Sequence, residues 1–567
     1  MIRTRLRTAR RLGVPAALLT ILAVAVIAYS PSLDGGFLFD DKSSIELNPR
    51  VQGGSAYVAR WSAPYALAQR PVTDLTFALD AARSGFRPRA FHETSLLLHL
   101  LATLLVFVLT RAVFRRAGAP DQARWAAVAV SALFALHPIQ SQAVAYPSQR
   151  AELLSSLLTV AALLLLLLAD GVARVARAIG LGAAAFGTFA LAAGSKMVAL
   201  AVPALFLFAV AALPARRGES VDSSGAPAPS RWLRRAGLLA PLVALSAFQV
   251  TVFLRSVSGS ADAGFSVPGL SPWRYLLTEA RVIPLYVRLI AWPAGQSLDH
   301  EIVPSAGLAD PWTTVLGGFF LLLVVGAATW GLLWTLGRGR EAPNAPAVRI
   351  ASFGAIWFLT LLAPTSSIVP LADVVAEHRV YLASWGLLAG AVALAGLAIQ
   401  RVPGRVRAAV VAGAVIVPAL ALAAALQARA TLWGDPLALW RDASEKSPGR
   451  ARPQLGIADE CFERGNLDGA IAGYERALAI EPGFAREVVL QRIASAYLQK
   501  GRPAEARAIL SRIPSPEPET VVLQAIASVD LGQLARAAAS GGSPWAARWA
   551  AIEARQAGCP GAGASPR

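Results

Sequence analysis

The chain has almost no cysteine and little charge. Only Cys461 and Cys559 are present, which excludes a disulfide framework and a cysteine-rich metal centre and leaves at most one bridge between the two. Charged residues occupy 16% of the 567 positions, against roughly 25% in an ordinary soluble domain. Acidic residues are the scarcer sign, 35 against 53 Lys and Arg. Hydrophobic residues fill the space at 55%, and mean hydropathy is +0.51. A single soluble core is excluded by these values, which belong to membrane proteins. The formal charge of +18 would suit a nucleic-acid binder if it formed one patch. Here the arginines sit in short segments between apolar runs, the distribution of cytoplasmic membrane loops, so the basicity reads as topology and no nucleic-acid partner is expected.

Apolar stretches near 14–29, 95–113, 125–141, 151–169, 178–193, 197–213, 236–254, 312–336, 350–364, 382–400 and 407–426 are each within or close to the roughly 17–25 residues that cross a bilayer as a helix. The fold class expected is therefore all-α, a polytopic membrane domain with about eleven crossings. The first stretch reads as an anchor, since no Ala-x-Ala-like cleavage site follows it, and Arg3, Arg5, Arg7, Arg10 and Arg11 keep the N-terminus cytoplasmic. Arg115, Arg116 and Arg124, the group Arg216 to Arg235, and the later groups around Arg338 and Arg401 fall on that same side if segment 275–293 does not cross. That segment carries Arg281 and Arg288 nearly on one helical face and is expected at the outer interface.

After about residue 430 the sequence changes. Ile457, Ala458, Gly465, Ala470, Tyr474, Ala477 and Pro482 follow the small and large positions of a tetratricopeptide repeat, and Ala494, Tyr497, Gly501, Ala506 and Leu510 echo them 36 positions later. A half repeat over 433–448 and a degenerate unit over 517–540 flank these. The expected organisation is a membrane domain over 1–430, a repeat domain over 431–540 outside the cytoplasm, and a Gly-, Ala- and Pro-rich tail over 541–567 expected to be disordered. The Ala- and Arg-rich composition with compact loops suggests a bacterial inner membrane.

Chemistry is concentrated in Asp40 and Asp41, adjacent carboxylates about ten residues beyond the first apolar run. Ionisable pairs are costly near hydrocarbon and mark functional sites more often than packing. Loop solvation or helix capping is the plain alternative. Such a pair can also recruit a divalent cation through oxygen ligands, though no full metal site is visible and metal dependence stays open. Arg379, in Glu377-His378-Arg379-Val380-Tyr381, precedes an outward membrane end, where a guanidinium fork suits a lipid phosphate or snorkels to the headgroups. Arg281 and Arg288 share that pair of readings. His137, Glu152, Lys196, Glu377 and His378 flank outward loops and are candidates to line one cavity, with capping or interfacial pairing as the alternative. His92 and His99, seven apart, lack a visible third ligand and read as helix-to-helix hydrogen bonders rather than a metal site. Asp299-His300-Glu301 is a polar run for which a solvated loop is the default.

Several stretches occur in a characteristic order: Asp34-Gly35-Gly36-Phe37-Leu38-Phe39-Asp40-Asp41, Arg70-Pro71-Val72-Thr73, Phe91-His92 through Leu98-His99, His137-Pro138-Ile139-Gln140 through Arg150-Ala151-Glu152, Ser195-Lys196 and Glu377-His378-Arg379-Val380-Tyr381. Together they resemble the transmembrane and tetratricopeptide-repeat O-mannosyltransferase family and its bacterial relatives of GT-C glycosyltransferase fold. Asp74 and Asp80 stand where the resemblance would place Asn, and Met197 where it often places an acidic residue. The resemblance implies an inverting transferase that takes a sugar, mannose for that family, from an undecaprenyl- or dolichyl-phosphate donor in the bilayer to a Ser or Thr hydroxyl of an exported protein or peptide. Asp40 would be the base, Asp41 its neighbour, and Arg379 with Arg281 and Arg288 the donor-phosphate ligands. A noncatalytic anchor whose repeats assemble envelope proteins, and a lipid-sugar transferase acting on glycan, remain compatible with the same residues.

Overall fold

The structure is a computed structural model that describes residues 2–52, 70–172, 174–213, 229–260, 262–514 and 518–528. Side chains of 2–12, 229–231, 518, 519, 522, 525 and 528 are outside the description. So are Arg216, Arg217, Cys559, the tail 541–567 and nearly all of the expected third repeat beyond its first helix.

Among the described residues all regular elements are helical, and the sole extended pairing is an isolated bridge between Ala263 and Leu371. Eight helices have the length and apolarity to cross a membrane: Gly13–Asp34, Pro88–Ala117, Pro147–Gly171, Val175–Ala193, Trp232–Ser256, Thr313–Leu336, Ala345–Leu362 and Gly404–Gly434. A ninth is a pair, Ala123–Leu136 and Pro138–Ala145, bent by 55° where Pro138 removes a helical donor. Two shorter apolar helices, Met197–Ala212 and Ser384–Gln400, coincide with the remaining apolar stretches of the sequence. Pro272–Ala291, with Arg281 and Arg288, is helical but not among the helices apolar enough to cross.

Sequence signals account for the ends of these elements. Pro71–Ser84 and Pro88–Ala117 both begin with proline, whose fixed φ suits a first helical turn, and both stop at a glycine in the left-handed region, Gly85 at φ 63° and Gly118 at φ 102°. One close helix contact depends on two absent side chains. A Cβ on Gly354 would lie 2.1 Å from the Gly386 carbonyl oxygen, and one on Gly386 2.2 Å from that of Gly354. Ala345–Leu362 and Ser384–Gln400 therefore touch backbone to backbone, the packing that substitutes for hydrophobic drive inside lipid. Beside the crossing, Trp357 and Trp385 are buried with their indole N–H groups donating to the Leu382 carbonyl and the Thr110 hydroxyl.

The chain divides into two compact units, one of residues 1–298 and 302–435, the other of 299–301 and 436–567. In the second, helices Ala451–Glu463, Leu467–Ile480, Arg486–Gln499 and Pro503–Leu510 form two pairs. Gly465 and Gly501 adopt φ of 77° and 68° at equivalent turns, a conformation glycine enters without steric cost. Ala458, Ala470, Tyr474, Ala477, Ala494, Ala506 and Leu510 are buried, as repeat helices that pack on their neighbours require. Pro436–Lys446 precedes the pairs and Pro518–Ser528 follows them. The run Asp299-His300-Glu301 groups with this unit: the Ser447 hydroxyl donates to the Asp299 carbonyl, and the Gly449 N–H to the Glu301 carboxylate.

Candidate functional site

The first helix ends in a short 3-10 turn, Ser30–Asp34, and delivers the chain to the acidic loop. Phe39 sits at φ 37°, a left-handed conformation that costs about 1–3 kcal/mol for a bulky residue. That turn sends the two carboxylates in different directions. Asp41 is fully buried; its Oδ2 accepts from the Leu38 N–H at 3.0 Å and its Oδ1 from the Ser148 N–H at 2.6 Å. Asp40 is half-buried, and its own N–H donates to the Tyr146 hydroxyl at 2.9 Å. Burial pushes the Asp41 carboxyl up to about 8, with the Asp40 charge adding to the push and the two backbone donors opposing it. Asp41 is thus the clamp of the loop, and Asp40 is the carboxylate with solvent access.

The ordered stretches, scattered over the sequence, meet in one polar layer. The acidic loop reaches Tyr146 and Ser148 as described, and the His92 Nε2 lies 3.1 Å from the Gly35 carbonyl. Val72 N–H donates to the Gly194 carbonyl and the Thr73 hydroxyl to that of Ser195. Arg150, fully buried, pairs with Asp80 at 2.6 Å, donates to the Phe91 carbonyl at 2.8 Å and lies over the Phe77 ring. Lys196 pairs with Glu152 at 2.9 Å and donates to Gln149 at 3.1 Å. The His378 N–H donates to the Gln142 side chain at 2.7 Å, and the Tyr381 hydroxyl stands 2.8 Å from His99 Nδ1. Buried polar groups gain from such networks only when their partners are present, so the layer is built as a unit.

A cleft of about 400 Å³ opens on it, lined by Ser43, Arg50, Arg70, Thr73, Asp74 and Ser148 among others. Arg50 is held at 3.0 Å by Asp74, whereas the exposed Arg70 guanidinium makes no hydrogen bond or ion pair with the described residues. Asp40 adjoins the cleft through Ser43, whose hydroxyl donates to the Asp40 carbonyl at 3.1 Å. Lys196 has its pKa lowered by burial and by Arg70 and Arg379, with Glu152 working the other way. His378 is held neutral by burial and by the charges of Lys196, Arg379 and Arg70. Three cations from distant parts of the chain therefore share one neighbourhood. Asp74 and Asp80 now have a reason to be acidic, since each pairs with an arginine.

The other sequence candidates are distributed unevenly around this layer. Arg379 is buried and donates to the carbonyls of Val374, at 3.0 Å, and Asp373. Close to it lies Glu279, a carboxyl buried beside Tyr275 and Ser366 without a hydrogen bond of good geometry and pushed up to about 7 by that burial. Glu377 accepts from the Gln296 side chain at 2.9 Å and the Ser297 N–H at 2.8 Å. His137 uses both ring nitrogens, donating to the Ile290 carbonyl at 2.8 Å and accepting from the Ile139 N–H, so it fastens the bend to the Pro272–Ala291 helix. Arg281 and Arg288 donate to the carbonyls of Val303 and Ala294, and neither borders the cleft. His99 Nε2 bonds the Ala135 carbonyl, a structural role like that of His92. Asp41 spends both oxygens on backbone donors, and no group of three His, Cys, Asp or Glu side chains suited to a metal occurs among the described residues. Asp41 serves as the loop clamp, with Asp40 as its more accessible neighbour. Arg50 escaped sequence reasoning altogether, while Arg70 and Arg150 stood in the ordered stretches without an assigned role.

Fold and layer together define a multipass helical membrane protein with a buried, ionisable polar site, joined to tetratricopeptide repeats. A tetratricopeptide-repeat family profile matches residues 462–529. The chain is 34% identical over 142 residues to the Drosophila melanogaster protein O-mannosyl-transferase Tmtc2, covering 23% of this chain and 14% of that protein. It is 34% identical over 165 residues to human protein O-mannosyl-transferase TMTC1, 26% and 18% of the two chains. It is 31% identical over 158 residues to the Caenorhabditis elegans protein O-mannosyl-transferase F38B6.6, 26% and 22%. The matched stretch thus spans less than a quarter of each relative's length. No solved structure matches. Over these stretches the chain is similar to transmembrane and tetratricopeptide-repeat O-mannosyltransferases.

Proposed function

We propose that the protein transfers mannose from a polyprenyl-phosphate donor to a Ser or Thr hydroxyl of an exported protein, with the layer and the repeats on the extracytoplasmic side of a bacterial inner membrane. The observation that carries this reading is the junction of a half-buried Asp40 with a cation-bearing cleft. The acceptor oxygen attacks the anomeric carbon as Asp40 takes its proton. The bond from that carbon to the phosphate oxygen breaks with its electron pair on the departing phosphate, and attack from the opposite face inverts the anomeric centre. A positioned base supplies typically ~10²–10⁴-fold, and preorganised charge at the leaving group often supplies more. Arg70, unengaged at the cleft, is the first phosphate ligand in this scheme. Lys196 and Arg379 add positive potential from within the layer, and Arg281 and Arg288 face the donor headgroup from the interface. The repeats hold an extended acceptor.

The test is transfer by the purified full-length protein from lipid-linked mannose to acceptor peptides. Asp40→Asn is expected to lower the rate by roughly 10²–10⁴-fold with unchanged melting behaviour, and Arg70→Gln to raise the donor KM. Transfer at the wild-type rate by Asp40→Asn removes Asp40 as base. The profile match over 462–529 also suits a noncatalytic scaffold, which predicts normal cellular function in an Asp40→Asn/Arg379→Gln variant and loss on removing the repeats.

A further inference from the structure

At the end of the Pro88–Ala117 helix opposite the acidic loop lies a second cleft, of about 410 Å³, between that helix and the last turn of Arg150–Gly171. Arg111, Arg115 and Arg116 line it with Val108, Leu167 and Leu168, and no carboxylate does so among the described residues. Two of the nearby arginines have structural work: Arg116 donates to the Leu167 carbonyl at 2.8 Å and Arg234 to the Val172 carbonyl at 2.6 Å. The Val172 carbonyl is one that a helix end leaves unpaired. The acid at this end, Asp170, is neutralised by Arg235 through two contacts of 2.8 and 3.0 Å. The guanidinium groups of Arg111 and Arg115, by contrast, make no hydrogen bond or ion pair with the described residues, so capping does not explain them.

Their register does. Leu97, Leu101, Leu104 and Val108 are exposed at spacings of four, three and four residues, and Arg111 and Arg115 continue the same helical stripe. An apolar, lipid-facing stripe thus runs directly into a carboxylate-free cleft with two uncommitted guanidinium groups. The helix has 30 residues, a length of about 45 Å against a hydrocarbon core of about 30 Å. The excess length, together with the arginines of its final turns, suits headgroup depth for that end. We propose that this cleft is a binding site for a phospholipid with an anionic headgroup: the phosphate is bridged by Arg111 and Arg115, Arg116 is pre-set beside it, and an acyl chain lies along Val108 and Leu104. Charge complementarity selects this occupant, since an apolar cleft alone would take any lipid and a zwitterionic headgroup would bring its own cation to the arginines.

Native mass spectrometry of the full-length protein in detergent, titrated with phosphatidylglycerol and phosphatidylcholine of identical acyl chains, tests the site. The wild type is expected to retain phosphatidylglycerol at least about tenfold better, each basic residue near a membrane surface contributing on the order of a few-fold. Arg111→Gln/Arg115→Gln should abolish the preference, and Arg111→Lys/Arg115→Lys should keep most of it. Ala112→Trp, which fills the cleft and leaves every charge in place, should lower retention of both lipids. Equal retention of the two lipids by the wild type overturns the proposal. So does an undiminished preference in the glutamine variant, or undiminished retention of phosphatidylglycerol in the tryptophan variant.

Discussion

Adjacent Asp40 and Asp41 carry the same side chain and occupy different worlds. A left-handed Phe39 turns one inward to two backbone donors and leaves the other half-exposed. Because the Asp41 pKa rises from 3.8 to about 8 on folding, the folded state binds the proton more tightly than the unfolded one. Its contribution to stability is complete below pH ~4 and is lost as pH rises through about 8. Thermal unfolding at pH 9 is therefore expected at lower temperature than at pH 5, and Asp41→Asn should flatten that difference. Arg150 presents a harder constraint. It is the buried partner of Asp80, whose other cation, Arg83, is half exposed. Arg150→Met strands the carboxylate, and truncating one member of a buried pair costs about 3–5 kcal/mol. Loss of monodisperse protein or a large fall in melting temperature is expected, partly restored by adding Asp80→Asn.

For the helices, what counts is how closely backbones approach. Gly354 and Gly386 meet with no room for a Cβ on either side, and the crossing holds Ser384–Gln400, which follows the Glu377–Tyr381 stretch of the polar layer. Gly354→Leu should force these helices apart, seen as a lower melting temperature and as weaker transfer through displacement of Arg379. Gly396→Leu, on the partner helix Ser384–Gln400 and facing only a side-chain oxygen of Gln122, is the milder control. The helices themselves were legible because a run of some 20 apolar residues has few alternatives to a helix in lipid. The 55° bend at His137-Pro138 was legible only as a proline. Its rigid fastening by His137 to the Ile290 carbonyl joins residues 153 positions apart, and no local pattern announces such a pair.

For the molecule as a whole, the arginine groups and the candidate crossings make one further prediction. Reporters fused after Gly339 and after Gly449 should lie on opposite sides of the membrane, the second with the acidic loop; labelling on the same side would break the proposed topology. Composition, hydropathy and the 36-residue echo from Gly465 to Gly501 determined by themselves that this is a helical membrane protein with a repeat domain, because burial in lipid and helix stacking act on residue type at short periods. They also marked Asp40, Asp41, Glu152, Lys196 and Arg379 as worth attention. Only the tertiary structure decided which of the two aspartates clamps and which is accessible, that Arg379 is tied to its own loop, and that Arg70 borders the cleft unengaged. Those outcomes depend on contacts between segments far apart in the chain, where a carboxylate's role is set by which donor the fold brings to it.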